Sequence, residues 1–128
     1  MFKKNSAFGS FSVNDLVKAK KFYSETLELN LTENTEMGLL DIHIADNFDI
    51  MVYPKPDHSP ATFTILNFHV DDIGKSVDEL SEKGVTFEHY DYEGIKTDEK
   101  GIMRGGPGPS IAWFKDPAGN ILSVIEDK

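Results

Sequence analysis

The sequence predicts an α+β fold made of two βαβββ modules in tandem. The first observation is an internal repeat, in which four residues of the first half recur at one constant offset: Phe11, Val13, Asp15 and Leu16, then Phe68, Val70, Asp72 and Ile73. In each copy, alternating apolar residues end at an Asp, and an apolar period of about 3.6 residues begins directly after it. This change of period is typical of a strand, a helix cap and a helix. Two similar modules therefore follow from the repeat.

In the first module, the opening strand ends at Val13 and Asp15 caps the helix. The predicted helix has one apolar face, formed by Leu16, Ala19, Phe22, Tyr23 and Leu27. Two strands follow over residues 38–45 and 49–53, joined by the turn-forming Asp46 and Asn47. Prolines in residues 54–60 predict an extended crossover to the second module. The modules are predicted to cover residues 1–57 and 58–128.

The second module begins with a strand over residues 62–70 and a helix capped by Asp72. Gly84 is placed to end this helix. Strands are predicted over residues 85–90, 110–115 and 121–126. The last two are joined by Asp-Pro-Ala-Gly-Asn, a strong hairpin signal because these residues supply the dihedral angles of a tight turn.

The amino-acid composition and net charge exclude several classes of function. The chain has 128 residues, no cysteine and a formal net charge of −9. The lack of cysteine excludes disulfides, thiolate zinc sites and cysteine nucleophiles. The negative charge disfavours nucleic acid as a partner and favours a cationic small molecule. Since no apolar run is long enough to cross a membrane and no signal-peptide pattern opens the chain, we expect a cytoplasmic protein without a membrane partner.

Strand parity predicts a cavity wall. Along residues 62–70, one face is purely apolar and suits a helix, whereas the other mixes aromatic, aliphatic, amide and imidazole groups. A mixed face of this kind is typical of a ligand cavity. Aromatic residues at strand positions stack a flat ligand or simply fill the core. The predicted ligand contacts are Phe8, Ser12, His43, Tyr53, Phe63, Ile65, Asn67, Trp113 and Ser123.

Three segments together resemble a known family. They are Val13-Asn14-Asp15-Leu16 leading into Phe22-Tyr23, Val70-Asp71-Asp72-Ile73 leading into Leu80 and Gly84, and the closing Phe114-Lys115-Asp116-Pro117-Ala118-Gly119-Asn120. The family is the vicinal oxygen chelate superfamily, which includes glyoxalases, bleomycin-resistance proteins, extradiol dioxygenases and fosfomycin-resistance enzymes. The resemblance implies paired modules whose mixed sheet curls into a cup, helices on the outer face, and a homodimer. Glu28 is a departure, because the family has Gly at this helix end.

The resemblance also implies where a divalent metal would be bound. In metal-bearing members, His residues come from the first strand of each module and carboxylates from later strands. Here the His positions are Phe8 and Ile65, the last-strand position is Ser123, and none of residues 50–53 is a carboxylate. These side chains leave an apolar pocket where oxygen and imidazole ligands are needed. We therefore expect no metal and no other cofactor.

Two residues are candidates for catalysis. His69 lies on the mixed face and can act as a general base, or it is a rim histidine bonded to a neighbouring strand. Arg104 is the only arginine, in a Gly- and Pro-rich loop over residues 101–109, where it can clamp an anion or simply lie exposed. His43 could join His69 in an unusual metal site, whereas His58 and His89 are expected to be solvated. Ser12 and Ser123 lack a recognisable His and acid partner, so a serine hydrolase is not predicted.

The main functional prediction is a metal-independent protein that binds a cationic or aromatic small molecule in an aromatic-lined cup. The alternative is a glyoxalase-like lyase or isomerase that acts on a small carbonyl or aromatic substrate, with His69 as base and Arg104 as anion clamp. That alternative would need another group to stabilise the enediolate in place of a metal. A third possibility is an interaction scaffold, because a fold does not fix a function. Whether the protein is an enzyme stays open.

Overall fold

The computed structural model describes residues 1–3, 6–46 and 48–127. The chain divides into two compact units, unit 1 (Met1–Ser59) and unit 2 (Pro60–Lys128). Each unit holds one four-stranded mixed sheet and one main helix. This arrangement confirms the predicted α+β class and the tandem βαβββ modules. In the described ranges, none of the helices combines the length and apolar character needed to cross a bilayer.

Unit 1 is a sheet in the order β1-β4-β3-β2. Its strands are β1 (Gly9–Val13), β2 (Asn30–Asn34), β3 (Leu39–Ala45) and β4 (Phe48–Pro54). Strand β1 runs parallel to β4, and the other neighbours are antiparallel. The predicted turn between β3 and β4 includes Asn47, which lies outside the described residues. Strand β2 had no bounds in the sequence prediction.

Helix α1 (Leu16–Lys21) packs on β3 and β4 and continues as a π-helical turn, Phe22–Thr26. Tyr23 is fully buried, and its ring lies 5.8 Å from that of Phe11 on β1. The helical segment ends beside Glu28, whose φ is +56°. A non-glycine side chain therefore occupies the left-handed conformation for which the family uses Gly.

Unit 2 is a sheet in the order β5-β10-β9-β8, with a separate hairpin of β6 and β7. The elements are β5 (Thr64–His69), α2 (Ile73–Glu82), β6 (Asp91–Tyr92), β7 (Ile95–Lys96), β8 (Ile102–Met103), β9 (Ser110–Lys115) and β10 (Ile121–Glu126). Strand β5 runs parallel to β10, as β1 does to β4 in unit 1. Helix α2 packs on β9 and β10, where Phe114 and Leu122 are fully buried.

Both helices begin at the predicted caps. Asp15 and Asp72 are extended, and each side chain accepts a hydrogen bond from the backbone N–H three residues later, at 3.1 Å and 3.0 Å. Gly84, with φ of +96°, follows the end of α2 as predicted. The repeat in the sequence therefore reports a shared local structure in the two units.

The strand predicted over residues 85–90 is wrong. Only Phe87 makes a bridge there, to Phe114 of β9. The reason lies on the same edge of β9, where β8 pairs Ile102 with Ala112 and takes the position of the predicted strand. The N–H of Glu88 still donates to the carbonyl of Trp113 at 2.8 Å, and the chain then leaves the sheet and forms the β6–β7 hairpin.

The crossover over residues 54–60 is not extended throughout. It contains a turn in which the N–H of His58 donates to the carbonyl of Lys55 at 3.0 Å. Lys55 in turn donates its own N–H to Val13 of β1 at 2.9 Å. The segment is therefore tied back onto unit 1.

Candidate functional site

The most aromatic surface of unit 2 surrounds an open cavity of about 590 Å³. The helix covers the other face of this sheet, so the cavity lies on the face that the sequence predicts to be mixed. Its described lining residues are Pro60, Ala61, Thr62, Phe63, Thr64, Tyr90, Tyr92, Ile95, Trp113, Lys115, Gly119 and Ile121. This set is called the aromatic cavity below.

Four rings of the aromatic cavity come from three segments of the chain: Phe63, Tyr90 with Tyr92, and Trp113. The rings of Tyr90 and Trp113 meet edge to face with centroids 5.5 Å apart, and Tyr92 lies 5.9 Å from Tyr90. Phe63 and Tyr92 are 68% and 59% exposed. Two large exposed rings beside this edge-to-face pair form an apolar surface that a flat molecule can cover.

Trp113 is fixed by the sheet register. It lies opposite Ser123 on β10, and its indole N–H donates to the hydroxyl of Thr64 on β5 at 3.1 Å. The indole N–H donates in the plane of the ring, so this hydrogen bond holds the ring in one orientation without covering its faces. The predicted contacts Trp113 and Phe63 are therefore brought to one cavity.

A β-bulge changes the predicted parity of β5. The register steps from Thr64 opposite Ile121 to Leu66 opposite Leu122, so Ile65 is the extra residue. Strict alternation predicted Ile65 on the cavity wall and left Thr64 out. Since Thr64 bonds Trp113, it belongs to the cavity face, and no signal in the sequence marks the bulge.

Tyr90 and Lys115 supply polar groups to the aromatic cavity. Burial raises the pKa of the Tyr90 phenol, and the charges of Glu88 and Tyr92 raise it further. The phenol is a hydrogen-bond donor at neutral pH, as tyrosine ordinarily is, and the shift reinforces this. The ammonium of Lys115 lies 3.5 Å from a carboxylate oxygen of Glu88. Tyr90 and Lys115 are not among the contacts predicted from the sequence, because Tyr90 lies in a segment interpreted as a strand and Lys115 in the flank of a hairpin.

Asn67 and Ser123 form a separate polar pair across β5 and β10. Ser123 is fully buried, and its hydroxyl donates to the side-chain oxygen of Asn67 at 2.6 Å. The two predicted contacts are thus brought together. Asn67 itself is exposed, so it is the member of the pair that a ligand can reach.

On unit 1, Ser12 is paired with His58, which was expected from the sequence to be solvated. The Ser12 hydroxyl and Nδ1 of His58 are 2.6 Å apart, and both residues are half-buried. Tyr53 lies directly opposite Ser12 on β4. The expectation of a solvated His58 is wrong because the turn in the crossover carries it back over β1. The 46-residue separation of the pair hides it from spacing arguments.

His43 has two partners on unit 1. Its Nδ1 is 2.9 Å from a carboxylate oxygen of Asp49, and its Nε2 is 2.7 Å from the Thr32 hydroxyl. Both ring nitrogens are therefore engaged. Phe8 is 65% exposed and lines a second open cavity, of about 510 Å³, with Met51 and other residues of unit 1.

His69 and Arg104, the predicted catalytic pair, are placed on unit 2 but neither lines the aromatic cavity. Nδ1 of His69 is 3.2 Å from a carboxylate oxygen of Asp127. Nε of Arg104 is 3.5 Å from Asp98, and its guanidinium lies next to Gly74 at the start of α2. Arg104 is thus on the helix side of the sheet. The structure does not bring the two residues to one cavity, and their catalytic roles stay predictions.

The comparison with known families decides the identity of the fold. The family model described as Glyoxalase/Bleomycin resistance protein/Dioxygenase superfamily matches residues 8–124. The chain belongs to this superfamily. The resemblance in the three sequence segments is therefore confirmed. No curated protein matches the chain.

Several solved structures share the fold. The antibiotic binding protein TnmS3 from Streptomyces sp. CB03234 is 23% identical, with a TM-score of 0.70 over 99% of this chain and 100% of that one. A glyoxalase family protein from Enterococcus faecalis is 20% identical, with a TM-score of 0.66 over 98% and 100%. The fosfomycin resistance protein FosX from Listeria monocytogenes is 14% identical, with a TM-score of 0.69 over 100% and 96%.

The superfamily positions for a divalent metal do not fit one here. Phe8 offers no donor atom and is largely exposed, Ile65 is the bulged residue, and the Ser123 hydroxyl is committed to Asn67. On β4, Ile50 and Val52 are buried and offer no donor either. In the part of the chain that the structure describes, no three His, Asp or Glu side chains are grouped as a metal site. A divalent cation needs several oxygen or imidazole ligands at one point, which this donor set lacks.

Proposed function

We propose that this superfamily member binds a small organic molecule with an aromatic ring, without a metal, in the aromatic cavity of unit 2. The observation that carries the proposal is the exposure of Phe63 and Tyr92 beside the Tyr90–Trp113 pair. Leaving such rings in water forgoes roughly 25 cal/mol for each Å² of apolar surface that a ligand would cover. A bound flat molecule recovers that free energy.

The cavity also has the features of a preformed site. A volume of about 590 Å³ lies within the range of small-molecule pockets. Trp113 is held by Thr64, so little side-chain entropy is lost when a ligand stacks on it. TnmS3 is described as an antibiotic binding protein, which supports ligand binding as a function of this fold. The homodimer and the cytoplasmic location expected from the sequence stay predictions.

The experiment follows the one tryptophan of the chain. Its indole N–H gives a single cross-peak in a ¹⁵N–¹H spectrum, so a panel of ring-bearing small molecules is titrated while that peak is recorded. Binding in the aromatic cavity shifts it. Tyr92→Ala removes one exposed ring and is expected to weaken binding about three- to tenfold, the worth of an aromatic pair.

Phe48→Ala is the matched control, because it removes an exposed ring from β4 of unit 1. It should leave the affinity unchanged. A panel without any member that shifts the Trp113 peak would contradict the proposal. Equal losses in Tyr92→Ala and Phe48→Ala would contradict it as well.

A further inference from the structure

The aromatic cavity contains one charged side chain among its described lining residues, and that side chain is a cation. Lys115, at the end of β9, is the residue concerned, whereas no Asp or Glu lines the cavity in the described part of the chain. This local charge is opposite in sign to the net charge of −9. Short-range recognition depends on the groups that touch a ligand rather than on the net charge.

The ammonium of Lys115 is only loosely paired. Its 3.5 Å separation from Glu88 is longer than the roughly 2.7–2.9 Å of a charge-assisted hydrogen bond. The Lys115 side chain is also 49% exposed. Since an ammonium has three N–H donors and no acceptor, it can take up a ligand oxygen without a large rearrangement.

The neutral polar groups of the aromatic cavity also have protons to donate. The Thr64 oxygen accepts the indole N–H of Trp113, which leaves the hydroxyl proton of Thr64 for another acceptor. The Tyr90 phenol is protonated at neutral pH, as any tyrosine with a pKa of about 10 is, and burial raises that pKa further. The cavity therefore presents donors around an aromatic wall.

We infer that the ligand of the aromatic cavity is a flat aromatic compound that carries a carboxylate, with the ring against Trp113 and Tyr90 and the carboxylate on Lys115. The inference rests on the proposed function and names its ligand class. It departs from the cationic ligand that the net charge favours. The carboxylate displaces the loose contact with Glu88.

The test compares three probes of one ring system: 2-naphthoate, neutral 2-naphthamide and cationic 2-naphthylmethylammonium. Affinities are measured from the Trp113 indole peak at low salt. A hydrogen bond to a charged group corresponds to about a tenfold preference or more, so 2-naphthoate should bind at least about tenfold more tightly than the amide. The ammonium probe should bind most weakly.

Variants of Lys115 and Glu88 test whether Lys115 causes the preference for 2-naphthoate over 2-naphthamide. Lys115→Met should bring 2-naphthoate and 2-naphthamide within about twofold of each other. Glu88→Gln should tighten 2-naphthoate alone, because it frees the ammonium. The double variant Lys115→Met with Glu88→Gln should still lack the preference, which excludes repulsion by an unpaired Glu88 as the cause. Lys100→Met is the control, since it removes the same charge from a lysine that pairs with Asp78.

The outcomes separate the two proposals. Equal binding of all three probes to the wild-type protein, or a preference that survives in Lys115→Met, overturns the carboxylate inference and leaves ligand binding in place. A failure of every probe to shift the Trp113 peak overturns the carboxylate inference together with the aromatic site. A loss of the preference in Lys100→Met as well would show a general charge effect and overturn the role of Lys115.

Discussion

Asp116, in the turn between β9 and β10, gives the sharpest test of how this fold holds its site. The side chain is 5% exposed and accepts hydrogen bonds from the N–H of Ala118, the N–H of Asn120 and the side-chain amide of Asn120, at 2.9, 2.9 and 3.0 Å. Asp116→Ala removes these acceptors. Because Asn120 is only 3% exposed, the two hydrogen bonds that it donates to Asp116 are lost in a place that water does not readily enter.

A hydrogen bond to a charged group contributes about 1.5–3 kcal/mol. The two bonds lost at Asn120 predict that Asp116→Ala lowers the free energy of unfolding by about 3–6 kcal/mol. The half-buried Ala118 N–H can be hydrated and adds little. This loss is a large part of the roughly 5–15 kcal/mol stability of a small domain.

The assay is urea unfolding followed by far-UV circular dichroism, with Asp78→Ala as the control. Asp78 is an exposed partner of Lys100 on α2, so its removal should cost less than about 1 kcal/mol. The exchange Asp116→Asn with Asn120→Asp should recover part of the loss, because the side-chain pair is rebuilt in reverse. An Asp116→Ala protein within about 0.5 kcal/mol of the wild type would refute the reasoning, since surface substitutions have effects of that size.

Three further predictions concern backbone strain and pH. Glu28→Gly should raise the free energy of unfolding by up to about 1 kcal/mol, because Gly adopts the φ of +56° at this position without a steric cost. Glu28→Ala should give no such gain. Gly119→Ala should destabilise by about 1–2 kcal/mol in urea unfolding, since φ is +85° and the new Cβ would lie 3.2 Å from Pro60. Burial raises the pKa of Asp98, but hydrogen bonds from the Ile102 and Lys100 amides and the charge and hydrogen bond of the Arg104 guanidinium outweigh it and hold the pKa below that of an ordinary Asp. Asp98→Asn should therefore destabilise the protein most at neutral pH, and the difference from the wild type should become smaller as the pH falls below about 4. Denaturation at several pH values measures this difference.

The fold could be predicted because its signals are local. Asp15 and Asp72 cap helices through bonds that span three residues, and the 116–120 turn is encoded in consecutive residues. The bounds predicted for the last two strands match β9 and β10. Parity along β1 also placed Ser12 on the open face of unit 1, opposite Tyr53.

The site could be predicted only in part because its contacts join distant residues. Trp113 and Phe63 were named from strand parity, but Thr64 enters through a bulge that has no sequence mark. The pairing of Ser12 with His58 depends on a turn inside a proline-rich crossover. Spacing along the chain carries no information about such pairs, whereas register across a sheet does.

The absence of the strand predicted over residues 85–90 and the formation of the aromatic cavity have one cause. In unit 1 the chain after the helix forms β2 and occupies the edge of β3. In unit 2 the corresponding edge of β9 is taken by β8, which comes later in the sequence. The displaced segment therefore leaves the sheet after Glu88 and brings Tyr90 against Trp113. A strand that followed the repeat would have kept Tyr90 in the ladder, so the departure from the repeat is what builds the site.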